Sequence, residues 1–177
     1  MHGYAFIKAG AAFAFGSAVN IPLALFMLVM LFMPFIIHNL EKNGFDKAAR
    51  PAAFAGYTWM GVLFLFCSAA APIDCYRVTI DALAFIYKRN YAHMSVSDYH
   101  LFMAALVISL LVAVYGCFEA NNIRTERIVI RTPKISSDLG MIRIVQISDV
   151  HLGLIVREDR LKRILAVVKK TNPDMLV

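Results

Sequence analysis

At 177 residues the chain is 60% hydrophobic and only 17% charged, with a mean hydropathy of +0.65, against roughly 45 to 50% apolar and about 25% charged residues in ordinary soluble domains. That balance excludes an ordinary single soluble domain, and it excludes intrinsic disorder, which needs low hydrophobicity and high charge. The 18 Lys and Arg exceed the 12 Asp and Glu by 6, and residues 119–177 hold 11 basic and 7 acidic side chains against 7 and 5 in residues 1–118. No dense basic block with interleaved aromatics marks a nucleic-acid partner, and the spread of charge suits anionic lipid head groups better.

From the N-terminus, Tyr4 to Val19 is apolar but rich in Ala and Gly, with Lys8 inside it. It lacks the separable apolar region and cleavage site of a signal peptide, and it fits the tail of a preceding span. A bilayer core about 30 Å thick takes about 20 apolar residues at about 1.5 Å each. Three charge-free runs meet that length: Ala9 to Leu40, Pro51 to Ile73 and Tyr99 to Phe118. They predict spans near 21–40, 52–73 and 100–118 within a transmembrane region of residues 1–118, with Pro22, Pro34 and Pro72 as bends that neighbouring helices tolerate. A soluble protein this small could not surround three such helices. The three cysteines, Cys67, Cys75 and Cys117, lie in or beside the apolar stretches and read as buried thiols, with no disulfide framework.

Asp74, Arg77 and Asp81 follow the second run at helical spacing, so on a continuing helix they share a face and can pair along it. Ionisable groups inside a bilayer mark function, but none of the three lies at an apolar centre. The preferred reading is an interfacial helix end, closed by Lys88 and Arg89, with Tyr76, Tyr87 and Tyr91 at head-group depth. Lys42, Lys47 and Arg50 fall on the same side as Arg124, Arg127, Arg131 and Lys134, outnumbering Lys8, Arg77, Lys88 and Arg89 opposite. The positive-inside rule then places the C-terminal part in the cytoplasm of an integral membrane protein, with a bacterial inner or plasma membrane as the expected location.

After a juxtamembrane linker at 119–126 the pattern becomes short apolar runs with polar breaks. Residues 127–132 alternate as an edge-type strand, with Ile128, Ile130 and Thr132 on one face. Pro133 and the stretch from Ser136 to Gly140 break it. Residues 142–147 predict a second strand, apolar on both faces apart from Arg143 and Gln146, as a covered central strand would be. From Glu158, the residues Leu161, Ile164, Leu165 and Val168 form one face of a helix that Asn172-Pro173 stops, and Met175 to Val177 begin another strand. Strand, loop, helix, strand is a crossover unit of an α/β layer. With 59 residues and three short strands, it reads as an incomplete sheet and the chain as a fragment.

Asp149-Val-His151 directly follows the second strand. In an extended loop residues i and i+2 point the same way, so a carboxylate and an imidazole would converge outside the carboxyl end of the sheet, where α/β folds bind ligands. That pair suits Mn²⁺, Fe or Zn²⁺ better than Ca²⁺ or Mg²⁺, although a bare Asp-x-His is more often a turn carboxylate beside an ordinary imidazole. The longer string Arg143-Ile-Val-Gln-Ile-Ser-Asp149-Val-His151-Leu-Gly153 resembles the first signature of the calcineurin-like metallophosphoesterases. Asn172-Pro-Asp-Met-Leu-Val177 is similar to the approach to that family's second signature, a strand ending in Gly-Asp. Tyr115-Gly-Cys-Phe-Glu119 looks like the join between helices and catalytic domain in membrane-anchored members.

The resemblance implies an α-helical transmembrane bundle followed by the start of a truncated α/β metallophosphoesterase domain at residues 127–177. It implies that Asp149 and His151 bind one ion of a pair of divalent metals (Mn, Fe or Zn), which in the complete domain offset phosphoryl charge during in-line attack. The expected function is hydrolysis of a phosphoester next to the bilayer that anchors the protein, with a lipid-linked substrate as a further expectation. The family's Gly-Asp, Gly-Asn-His and Gly-His-x-His signatures are absent from this sequence, and His2, His38, His93 and His100 lie in or beside the membrane half. The chain by itself is therefore expected to be inactive. The competing readings are a small helical transport or assembly subunit with a non-catalytic soluble tail, and a purely structural anchor.

Overall fold

The computed structural model describes residues 1–88, 96–134, 136, 140–151 and 153–177. The chain divides into two compact units, Met1–Phe118 and Glu119–Val177. It is mostly helical, with little sheet.

The first unit holds α1 (His2–Phe13), α2 (Ser17–Lys42), α3 (Asp46–Tyr87) and most of α4 (Asp98–Asn121). The last three are long and apolar enough to cross a membrane. Their large side chains face outward to a degree no aqueous surface would favour: Phe35, Leu111 and Phe118 are 69%, 65% and 75% exposed. The 42 residues of α3 make a rod of about 63 Å at about 1.5 Å per residue, roughly twice the hydrocarbon thickness. Its charge-free part ends at Ile73, and Asp74, Arg77 and Asp81 prolong the helix without a break. Lys88 ends it in a left-handed conformation (φ 50°). Arg89, Tyr91 and His93 lie outside the described residues.

The tightest packing joins α2 and α3, where Ala49, Ala53 and Gly56 are buried on one side of α3 and Ile37 of α2 is 2% exposed. Small residues at this spacing let two membrane helices approach closely, which in lipid is a main source of association energy. Further along the pair, Phe26 meets Trp59 edge-on at 4.9 Å between ring centroids. Ala5, Met27, Leu63, Phe66, Ala70 and Ala105 complete a core shared by all four helices.

The N-terminal segment forms a helix of 12 residues, ended by Ala14 at φ 49°. Two expectations change in this unit. Asp74 and Arg77 do not pair along α3. Asp74 accepts a hydrogen bond from Tyr4 Oη at 2.5 Å and forms an ion pair with Lys8, both on α1, while Arg77 pairs with Asp98 in the first turn of α4. Partners on other helices win because cross-helix pairs replace solvent that the apolar surroundings cannot supply. Finally, Cys75 and Cys117 are exposed and Cys67 half-buried, and none of the three is in a disulfide. Thiols on a lipid-facing surface need no burial in protein to leave water.

In the second unit, β1 (Ile144–Val145) pairs in parallel with β2 (Met175–Leu176), and α5 (Glu158–Thr171) lies between them in sequence. Backbone bonds extend the ladder to either side, with Ile147 N donating to Val177 O and Val177 N to Val145 O, each at 2.9 Å. Glu158 and Asp159 open α5 and Lys169 and Lys170 close it, as the helix dipole favours. Asn172 ends it in the left-handed region (φ 46°) that Asn tolerates. Arg143 ties strand to helix: its guanidinium donates to the carbonyls of Thr171 (2.7 Å) and Asn172 (3.1 Å), and its own N–H donates to Asp174 Oδ2 (2.7 Å).

The expected strand at 127–132 is not formed, and Ile128, Val129 and Ile130 are 76%, 72% and 82% exposed. A strand without a neighbour leaves its backbone groups unpaired and has no independent stability. The expected central strand at 142–147 shrinks to two residues and is not covered, since Ile144 is 58% exposed. Within the expected break after Pro133, residues 137–139 lie outside the described residues. A two-residue parallel pair with one helix falls short of the α/β layer expected from the sequence.

Candidate metal loop

The parallel ladder carries the chain to Ile147, and the loop that follows leads into α5. Asp149 and His151 sit in this loop, on the carboxyl side of β1, and both are exposed. Leu152 lies outside the described residues. The loop closes on itself where Gly153 N donates to Val156 O at 2.9 Å.

The loop is not extended. Asp149 has φ 54° and His151 φ 49°, both left-handed, so the rule that alternate residues of an extended chain share a direction does not apply to them. Asp and His are among the few non-glycine residues enriched there, yet each such residue carries about 1–3 kcal/mol of backbone strain that neighbouring structure must offset. Two strained residues flanking Val150 therefore mark a loop whose shape is held by more than local preference.

An acid oxygen and an imidazole nitrogen are a sound donor pair for a divalent transition metal. Among the described residues, however, no group of three or more His, Cys, Asp and Glu forms that could hold a metal ion. Asp149 and His151 supply two donor types that suit such a metal, and no complete site forms around them among the described residues. Asp174, just before β2, is engaged with the Arg143 N–H at the opposite end of β1. The side chains that sequence reasoning missed are Lys8 and Asp98, the cross-helix partners of Asp74 and Arg77. Each is an isolated charge at the border of an apolar run, and that isolation was the available signal.

About two fifths of the chain is similar in sequence to proteins named metallophosphoesterases. One, from Danio rerio, is named "Transmembrane protein with metallophosphoesterase domain" and is 36% identical over 74 residues, which is 41% of this chain and 17% of the relative. Another, from Aquifex aeolicus (strain VF5), is named "Uncharacterized metallophosphoesterase" and is 35% identical over 72 residues, 41% of this chain and 27% of the relative. The chain therefore spans between about a sixth and about a quarter of the length of these relatives. No family model matches it, and no solved structure does. The likeness supports the metallophosphoesterase family and, with it, use of divalent metal in general. Together with the three apolar helices, the first relative's name supports a membrane protein.

Proposed function

We propose that this chain contributes to a membrane-anchored, metal-dependent phosphoesterase, with Asp149 and His151 as ligands to one of two divalent ions (Mn, Fe or Zn). The observation that carries the reading is the placement of an exposed carboxylate and imidazole two residues apart, in the loop just past the carboxyl end of a parallel strand, where α/β folds bind ligands. The two relatives' names agree with it.

When bound, the metals supply Lewis-acid polarisation and charge compensation at the phosphoryl oxygens. The chain's own contribution is to present Asp149 and His151 at fixed backbone angles and to hold β1 against α5 through Arg143. Apolar helices in the same chain make the phosphoesterase membrane-anchored, and the distribution of Lys and Arg favours the cytoplasmic side, so a phosphoester carried by a lipid is the favoured substrate class.

The test uses the natural protein containing this sequence, in detergent, with Mn²⁺ and an aryl phosphate. Turnover is expected to fall by at least about 10- to 100-fold in Asp149→Ala, the loss that removing even an outer partner of a metal ligand causes; equal turnover in both proteins removes the proposal. The ion pairs joining α1, α3 and α4 favour a second reading, a transport or assembly subunit. Ion flux in liposomes that is lost in Asp74→Asn and kept in Asp149→Ala would select it.

A further inference from the structure

Polar side chains tie α1 to α3 at two places. In the first turn of α1 the Trp59 indole N–H donates to His2 Nε2 at 3.1 Å, with the two ring centroids 6.4 Å apart. Further along, Tyr4 and Lys8 both reach Asp74. Trp59 is itself held in place: Phe26 of α2 meets it edge-on, and it packs against the core that includes Leu63 and Phe66. His2 is half-buried.

The chemistry of the first tie fixes a protonation state. An indole N–H can only donate, so His2 Nε2 must accept, and the imidazole is neutral with its proton on Nδ1. A second proton turns Nε2 into a donor as well. Two donors then face each other beside an apolar core; the bond is lost and the indole N–H keeps no partner there. Imidazole changes charge within about pH 5 to 8, whereas carboxylates and side-chain ammonium groups do so outside that range. The charges near His2 are the Met1 amine beside it and the Lys8–Asp74 pair further along α1. Between Arg50 and Asp74, α3 brings only Tyr57 and Cys67 as ionisable side chains. Neither α2 from Ser17 to Ile37 nor α4 from Leu101 to Val114 brings any. His2 is therefore the group in this neighbourhood that responds to mild acid.

We propose that His2 is a pH-sensitive latch: neutral, it pins the first turn of α1 to Trp59 of α3; protonated, it lets that turn go, while Lys8 and Asp74 hold the next one. The tie at Asp74 keeps the response local. Acid loosens the start of α1 without detaching the helix.

Trp59 is the single tryptophan of the chain, so the full chain, labelled with nitrogen-15 in dodecyl maltoside micelles, gives one indole N–H resonance. That resonance is expected to move upfield between about pH 7 and pH 5 along a one-proton curve. His2→Gln sets an amide oxygen near the place of Nε2, which accepts the indole N–H at every pH, so its resonance should stay fixed. Cys67 Sγ lies 4.0 Å from Met1 O, so departure of the first turn uncovers this thiol. With Cys75→Ser and Cys117→Ser as background, maleimide should modify Cys67 at about pH 5.5 about 2- to 10-fold faster than in the same protein carrying His2→Gln, the change in open population that one neutral hydrogen bond controls. An indole resonance that does not titrate in the unmodified protein overturns the proposal, as does the same titration in His2→Gln or equal Cys67 rates in the two proteins. His38→Gln, His93→Gln and His100→Gln together should leave the titration intact. Its loss in that variant overturns the assignment to His2, and this holds even where His2→Gln fails to fold.

Discussion

Gly56 is the position where the α2–α3 contact can be tested most directly. A Cβ added there would lie 2.3 Å from Met33 Cγ, 3.1 Å from Met33 Cβ and 3.4 Å from Ile37 Cδ1, against about 3.5–4.0 Å for unstrained carbon contacts. Met33 Cγ can rotate aside, but its Cβ is fixed to the α2 backbone, so the helices must also part slightly. Gly61, on the same helix, has nothing within 4 Å of the same added atom. Gly→Ala should favour the helix equally at both positions, by up to about 1 kcal/mol. The difference between Gly56→Ala and Gly61→Ala therefore isolates the steric term, about 1–3 kcal/mol of destabilisation by the overpacking range. Reversible unfolding in mixed micelles, followed by Trp59 emission three residues away, reads that difference. Met33→Ala should recover part of the loss in the Gly56→Ala background, as a coupled pair requires. If Gly56→Ala proves as stable as Gly61→Ala, the helices do not approach here as described.

Asp149→Gly and Asp149→Ala should separate backbone from ligand: both lose Mn²⁺ affinity in calorimetry, but only glycine relieves the left-handed strain, giving a loop about 1 kcal/mol more stable than the alanine variant by hydrogen exchange. Asp74→Leu leaves Lys8 without its carboxylate, so it should destabilise the helical unit more than the double change Asp74→Leu with Lys8→Met, which removes both charges; a double variant less stable than the single one would refute this. Arg143→Ala deletes the bonds to the Thr171 and Asn172 carbonyls, a loss of at most about 1.5–3 kcal/mol for charged hydrogen bonds. Arg143→Lys should restore only part of it, because a single ammonium cannot reproduce the guanidinium fork; the measurement is amide exchange in the last turn of α5.

The three apolar helices were legible because bilayer thickness imposes a length, and a charge-free run of that length is rare in a chain that stays in water. How they pack was not. In α3 and α4 apolar residues run all round, so periodicity, which points to the buried face of a soluble helix, carries no signal about partners. The informative residues were the small ones, Ala49, Ala53 and Gly56, and the isolated charges Lys8, Asp74, Arg77 and Asp98. Asp74 and Arg77 read in one dimension as part of a helix end, and in three dimensions they form cross-helix contacts with Lys8 and Asp98. In the second unit α5 was readable from its single apolar face and its end charges. The strands at 127–132 and 142–147 were read from β-branched alternation alone, and a strand's existence depends on a neighbour that no local pattern specifies.

The loop proposed to bind metal divides in the same way. The chemistry proposed for it came from the longer string Arg143 to Gly153, since a bare acid and imidazole two residues apart are more often a turn residue and an ordinary imidazole. Its geometry was not legible in that string, because left-handed backbone is imposed by how the loop closes, and Asp and His merely tolerate it. This distinction bears on function. Were Asp149 and His151 on an extended segment, their shared direction would follow from the pleat and would survive changes at Val150 or Gly153. Held instead at φ 54° and 49°, they depend on the turn between Gly153 and Val156, and a change there should disturb the proposed metal binding while leaving both side chains in place. Gly153→Pro, which removes the N–H that Val156 O accepts, makes that separable: Mn²⁺ affinity should fall with Asp149 and His151 intact, whereas affinity equal to the unmodified protein would mean that the ligands, not the loop, set their own geometry.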